Sequence, residues 1–140
     1  MCSSDLFHQG YVIDSIDAIL KLTDTTWSEA EKAIEKGLVF YRTRQFTADG
    51  QSLWRYPIAY PVDIHNQSQG IITFAKQRDS FAATIAAWTI KNMFDSKQGC
   101  FYYRKYPSFT NKIPYLRWSN AWMLVALAEL ESYQFSQSKK

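Results

Sequence analysis

Phe46-Thr47-Ala48-Asp49-Gly50, followed by Trp54-Arg55-Tyr56-Pro57, returns about fifty residues later as Phe94-Asp95-Ser96-Lys97-Gln98-Gly99, followed by Tyr103-Arg104-Lys105-Tyr106-Pro107. In each copy a periodic apolar segment ends and the chain turns at a glycine. An aromatic stretch carrying arginine then runs to a proline that a helix interior would not accept. After each copy comes a segment with a polar or aromatic first turn and an apolar remainder: His65-Asn66-Gln67 before Ile71-Ile72, and Arg117-Trp118-Ser119-Asn120 before Met123-Leu124. Phe7-His8-Gln9 before Tyr11-Val12-Ile13 opens a third copy. Units of this length, each an inner and an outer helix with a long loop, predict an all-α fold of helical hairpins in a curved array.

The helices follow from spacing. Val12, Ile13, Ile16, Ile19 and Leu20 predict one over about residues 7–22. Thr26-Trp27-Ser28-Glu29 has the form of a capping box. Beyond it Trp27, Ala30, Ile34, Leu38 and Tyr41 make an apolar stripe opposite Glu31, Lys32, Glu35 and Lys36, the pattern of a half-exposed outer helix. Pro57 and Pro61 make residues 46–63 a long aromatic loop. A third helix is predicted from Ile64 to Ala75, and a fourth from a cap at Asp79 or Ser80 to Met93. Residues 95–116 form the second long loop. Ser119 should cap a last helix to about Tyr133; apolar nearly all round over Ala121–Ala128, it is expected to be the most buried. Residues 1–140 thus read as one domain of five helices, with 134–140 a frayed tail.

Composition narrows the function. With 46% hydrophobic and 21% charged residues the chain is a globular domain. Its net charge of +3 is dispersed, with no basic cluster beyond Lys139-Lys140, so nucleic acid is not expected as a partner. Cys2 and Cys100 offer no disulfide framework, which points to a reducing, cytoplasmic setting. No basic segment leads into an apolar one at the N-terminus, and the longest apolar run falls far short of the ~20 residues of a membrane helix. Two histidines without metal-ligand spacing argue against a metal. Neither a phosphate-cradling glycine loop, a dinucleotide fingerprint nor a nucleophile elbow occurs, and no cofactor is expected. Aromatic residues, 16% of the chain, suit stacking on sugar rings as well as they suit packing.

Phe7-His8-Gln9-Gly10-Tyr11-Val12-Ile13-Asp14-Ser15, Tyr60-Pro61-Val62-Asp63-Ile64-His65-Asn66-Gln67-Ser68-Gln69-Gly70 and Phe101-Tyr102-Tyr103-Arg104, with Ile113-Pro114-Tyr115-Leu116-Arg117-Trp118-Ser119-Asn120-Ala121-Trp122-Met123, resemble the C-terminal half of bacterial α/α-toroid proteins associated with polysaccharide biosynthesis. Those proteins are similar in architecture to glucuronyl epimerases, acylglucosamine epimerases and unsaturated-uronide hydrolases. The resemblance covers nearly the whole chain. It implies part of a toroid, a ring that closes with about a dozen helices where five are read here. The expectation is therefore a truncated or split member of the family, or one that completes its ring as a homodimer or with a chain carrying the missing half. The dimer contact is expected on the last helix and on the first.

The resemblance also implies a cleft lined by inner-helix N-termini and their loops, which selects the candidate residues. His65 is the expected general base or sugar-hydroxyl ligand and Asp63 the group that orients it, since a carboxylate fixes an imidazole tautomer. The plain alternative is that Asp63 caps the helix. Tyr103 can shuttle a proton; Arg104 and Arg117 can grip a sugar carboxylate; Tyr115 and Trp118 can stack on the ring. His8 and Gln69 complete the substrate-binding set. Gln67 and Asn120 are further amides of the same cleft. Arginines on aromatics also fasten long loops to helix ends, and that reading stands beside the first. If active, the chain would be an epimerase-, lyase- or hydrolase-type carbohydrate enzyme. Otherwise it is a non-catalytic structural or protein-interaction module.

Overall fold

A computed structural model describes residues 6–23 and 26–138. Among these are five helices, α1 (Leu6–Thr23), α2 (Ser28–Gln45), α3 (Ile64–Lys76), α4 (Phe81–Met93) and α5 (Trp122–Gln137). Five two-residue strands accompany them: β1 (Val62–Asp63), β2 (Phe94–Asp95), β3 (Cys100–Phe101), β4 (Arg104–Lys105) and β5 (Thr110–Asn111). The fold is thus mainly helical with small antiparallel ladders in the loops, β1-β4-β5 and β2-β3. The strands escape a sequence reading because two residues are too few for alternation to register.

α1 and α2 run antiparallel. The Gln45 amide donates to Gln9 Oε1 at 2.7 Å near one end, and farther along Gly37 leaves room for the Ile13 side chain. α3 and α4 form the next hairpin, and α5 packs on α3. α3 and α5 share a direction, since Trp122 meets His65 at their starts and Ser132 and Tyr133 lie beside Ala75 and Lys76 at their ends. α1 flanks the other side of α3.

The most buried helix is α3, not the last one: every residue from Ile64 to Ala75 is buried. On α5 only Met123, Ala126 and Leu130 are buried, and Leu124 is 71% exposed. α3 lies between α1, α4 and α5, whereas α5 occupies an edge. Sequence misleads here because α3 buries polar side chains whose hydrogen bonds are met, as Gln67 shows below, while α5 carries apolar side chains that no described residue covers. Burying Ile64, Ile71 and Phe74 contributes about 1.5–3 kcal/mol each.

The two loop copies have matching geometry. Phe46 and Phe94 each follow a helix in extended conformation, and Gly50 and Gly99 both take positive φ, 95° and 66°. Phe46 bridges to Ser52, as Phe94 pairs with Phe101. In each case an amide of the helical segment that follows holds the loop. Gln67 Oε1 accepts from Ser52 N–H at 2.8 Å, and Asn120 Oδ1 accepts from Phe101 N–H at 2.8 Å. These two amides, expected in the cleft, are loop fasteners.

Helix starts differ in detail. Asp63 caps α3, and Asp79 rather than Ser80 takes the Phe81 N–H at 2.8 Å. The capping box of α2 does not form, because Thr26 lies one residue ahead of the cap position, held by Trp27. Ser119 is not a cap: it lies buried in a π-helical turn, Leu116–Ala121, that leads directly into α5. α5 continues through Gln137, past the predicted end.

Part of the aromatic content is core. Tyr41 and Phe74 stack at 5.6 Å between centroids, and Phe46 meets Tyr41 edge-on at 5.3 Å. The Phe46 ring also fills the space where a Cβ on Gly70 would project. Helix propensity alone would make Gly70→Ala stabilising by about 1 kcal/mol. Because Phe46 is locked among Tyr41, Phe74 and Phe81, the substitution is instead expected to destabilise by about 1–2 kcal/mol, read as a lower urea midpoint.

Candidate functional site

Both long loops come together at the start of α3. β4 pairs with β1, Asp63 opposite Arg104, and Ile64 N–H donates to the Tyr103 carbonyl at 3.1 Å. Asp63 sits at the junction with two duties. Its Oδ1 accepts from the His65 backbone N–H at 2.9 Å, and its Oδ2 pairs with Arg104 Nε at 2.6 Å. The Arg104 guanidinium in turn lies over Trp54 at 4.9 Å and over Tyr103 at 4.5 Å. One cation thus ties the first loop, the second loop and the α3 cap together. The geometry of Arg104 is that of a fastener.

With both Asp63 oxygens so engaged, the imidazole is oriented by another group. Tyr11 Oη lies 2.8 Å from His65 Nε2. The Tyr11 phenol is pushed up by burial and by Asp14, so it keeps its proton and shares a hydrogen bond with the ring nitrogen. Burial pulls His65 below the usual histidine range, aided by His8 and opposed by Asp63. The ring is neutral at pH 7, the state a general base needs.

Aromatic rings enclose this couple. Trp122 stacks on His65 at 5.2 Å and 21°, Trp118 is tilted toward it at 6.1 Å, and Tyr11 meets Trp122 edge-on at 5.8 Å. Trp118 and Trp122, four residues apart, lie on one side of the helix that carries them. Tyr103 and Tyr115 form a T-shaped pair at 4.9 Å, with Tyr115 41% exposed. The Arg117 guanidinium lies over the half-exposed Trp118 ring at 5.4 Å. Among the described residues no carboxylate pairs with Arg117.

Asp63, His65, Tyr103, Arg104, Tyr115, Arg117 and Trp118 therefore cluster at one rim. His8 is exposed, one turn before Tyr11 on α1, and near enough to act on His65. Gln69 lies one turn below His65, its amide donating to Asp14 Oδ2 and to Thr73 Oγ1, each at 3.0 Å. Tyr11, Trp54 and Trp122 are members of the cluster that the sequence did not select. Tyr11 was legible in part, standing at i+3 from His8; Trp122, at helical spacing in an apolar run, reads as core. Among the described residues no group of His, Cys, Asp and Glu converges as a metal site.

A pH signature follows from His65. Its folded pKa lies below its unfolded one, so the unfolded chain binds more protons as pH falls below about 6.5. His65 thereby removes stability on acidification. Between pH 7 and 5 the wild type is expected to lose more stability than His65→Gln, measured by urea unfolding across that range. Parallel curves would contradict the neutral, buried ring.

No helix among the described residues is long and apolar enough to cross a membrane. No family model matches the chain, and neither does any curated protein or solved structure.

Proposed function

We propose that this chain binds an acidic or polymeric sugar at the rim around His65, as a truncated or split relative of carbohydrate-active α/α-toroid proteins acting in the cytoplasm. The observation that carries the reading is the hydrogen-bonded Tyr11–His65 couple inside a wall of Trp118 and Trp122, beside Arg117, with which no carboxylate among the described residues pairs. A sugar ring stacks on the indole face, its carboxylate meets Arg117, and its hydroxyls face Tyr115 and Tyr103. The Tyr11–His65 couple can hold or pass one proton, which is the requirement of epimerase or lyase chemistry beside a carboxylate. Turnover needs walls that exclude water on all sides, so binding is the function assigned to the chain alone and catalysis to a completed ring.

A glycan array followed by calorimetry tests this. Oligogalacturonate or another uronate oligomer is expected to bind, and Arg117→Ala to weaken it about tenfold, a loss of about 1.4 kcal/mol for one charge-assisted contact. Failure of every acidic glycan to bind would overturn the reading.

A second reading, an interaction module completed by a second copy, draws on the edge position of α5. Leu116 is 80% exposed, Leu124 71% and Val125 50%, while Leu127 packs toward the core. On α1, Val12 and Ile19 are also more than half exposed. Light scattering separates the two: a dimer lost in Leu124→Asp without loss of helicity supports pairing, and a monodisperse 16.3 kDa particle opposes it.

A further inference from the structure

From Ser96 to Ala128 the chain has no acidic residue, yet it carries Lys97, Arg104, Lys105, Lys112 and Arg117. These five cations exceed the net charge of +3 of the whole chain, so the remainder taken together is net negative. Spread out in the sequence, they are drawn together by the fold. β4 and β5 form a hairpin, its turn closed by the Tyr106 N–H donating to the Phe109 carbonyl at 2.8 Å. Just past it the Lys112 ammonium lies over the Tyr102 ring at 5.3 Å. The Tyr102 hydroxyl donates to Asp95 Oδ2 at 3.1 Å, which sets the turn between β2 and β3, with Lys97, beside the hairpin. Asp63 pairs with Arg104. Asp95 Oδ1 accepts from the backbone N–H groups of Lys97 and Gln98. Among the described residues no carboxylate forms an ion pair with Lys97, Lys105 or Lys112.

The same hairpin shows apolar side chains to water. Phe109 is 59% exposed although it stacks on Tyr106 at 4.4 Å, and Ile113, next to Lys112, is 51% exposed. Lysines alone would suit any polyanion, but a soluble one has no apolar layer for Phe109 and Ile113. An anionic bilayer has both: headgroup phosphates for ammonium groups and, just beneath them, an acyl boundary for the two apolar side chains.

We propose that the β4–β5 hairpin and the adjoining β2–β3 turn dock on an anionic lipid bilayer, with Lys97, Lys105 and Lys112 at the headgroups and Phe109 and Ile113 at the acyl boundary. The inference does not rest on the sugar reading. Tyr115, Arg117 and Trp118, which follow in the same stretch, belong to the rim described above, and docking holds that rim beside the membrane surface.

Co-sedimentation of the full chain with vesicles tests it. Vesicles of equal parts phosphatidylserine and phosphatidylcholine should bind the chain, less so as salt is raised, and vesicles of phosphatidylcholine alone should not. Lys97→Gln and Lys112→Gln should each weaken binding about fivefold, and Phe109→Ser and Ile113→Ser each about tenfold. Val39→Ser, which removes an apolar side chain 64% exposed on α2, should bind as the wild type does. Circular dichroism confirms that each variant keeps its helicity. No binding to the anionic vesicles, or equal binding to both kinds, overturns the proposal. So does binding that Phe109→Ser and Ile113→Ser leave intact, which would mark the lysines as a site for a soluble polyanion.

Discussion

Replacing Asp63 with alanine is expected to cost about 3 kcal/mol of folding stability, the largest effect of any single substitution at the rim. Two losses combine. The α3 cap disappears, worth about 1 kcal/mol, and Arg104, 27% exposed in its side chain, is left without its carboxylate where water only partly replaces it. Breaking a fully buried pair costs about 3–5 kcal/mol, and the partial exposure of Arg104 places this one at the lower end. Because Arg104 also holds Trp54 and Tyr103, the loss should loosen both loops together. Urea unfolding of the wild type, Asp63→Ala, Arg104→Ala and the double variant measures it; a double variant much less damaged than the sum confirms the coupling. An Asp63→Ala midpoint within error of the wild type would dismiss Asp63 as the junction of the site.

Trp118→Ala carries the second large effect, on binding rather than on stability. Trp118 is 51% exposed and sits between Arg117 and His65, so it has little packing to lose and the central stacking surface to give up. A loss of about 2 kcal/mol, near thirtyfold in affinity for a uronate oligomer, is expected. Trp27, 58% exposed at the cap of α2, is the control, and Trp27→Ala should bind as the wild type does. Equal effects of the two variants would argue for nonspecific adhesion to exposed indoles.

Much of this was legible in the sequence through repetition. The paired Phe-to-Gly turns located both loops, and the polar first turns of the helical segments after them located the rim. What the sequence hid has physical causes. Gln67, Gln69 and Thr73 look like surface residues because a single chain does not reveal that Ser52, Asp14 and one another will satisfy them inside. Leu124 and Val125 look like core because hydrophobicity records what a side chain prefers and not whether a neighbour is present. The partner of the His65 ring could not be read either: Asp63 is two residues away along the chain, but a short carboxylate at a cap turns to the backbone, and the ring meets Tyr11 from a different helix. The arginines divided by context. Arg104 faces a buried acid and became structural, while Arg117 lies over the Trp118 ring with no carboxylate among the described residues paired to it.

The measurement that tests the binding site most directly is an indole and imidazole NMR titration with oligogalacturonate. Saturable shifts of the Trp118 and Trp122 indoles and of the His65 ring are expected, with Trp27 and Trp88 unmoved. A titration in which those three rings stay still, or in which Trp27 moves as far as Trp118, would contradict it.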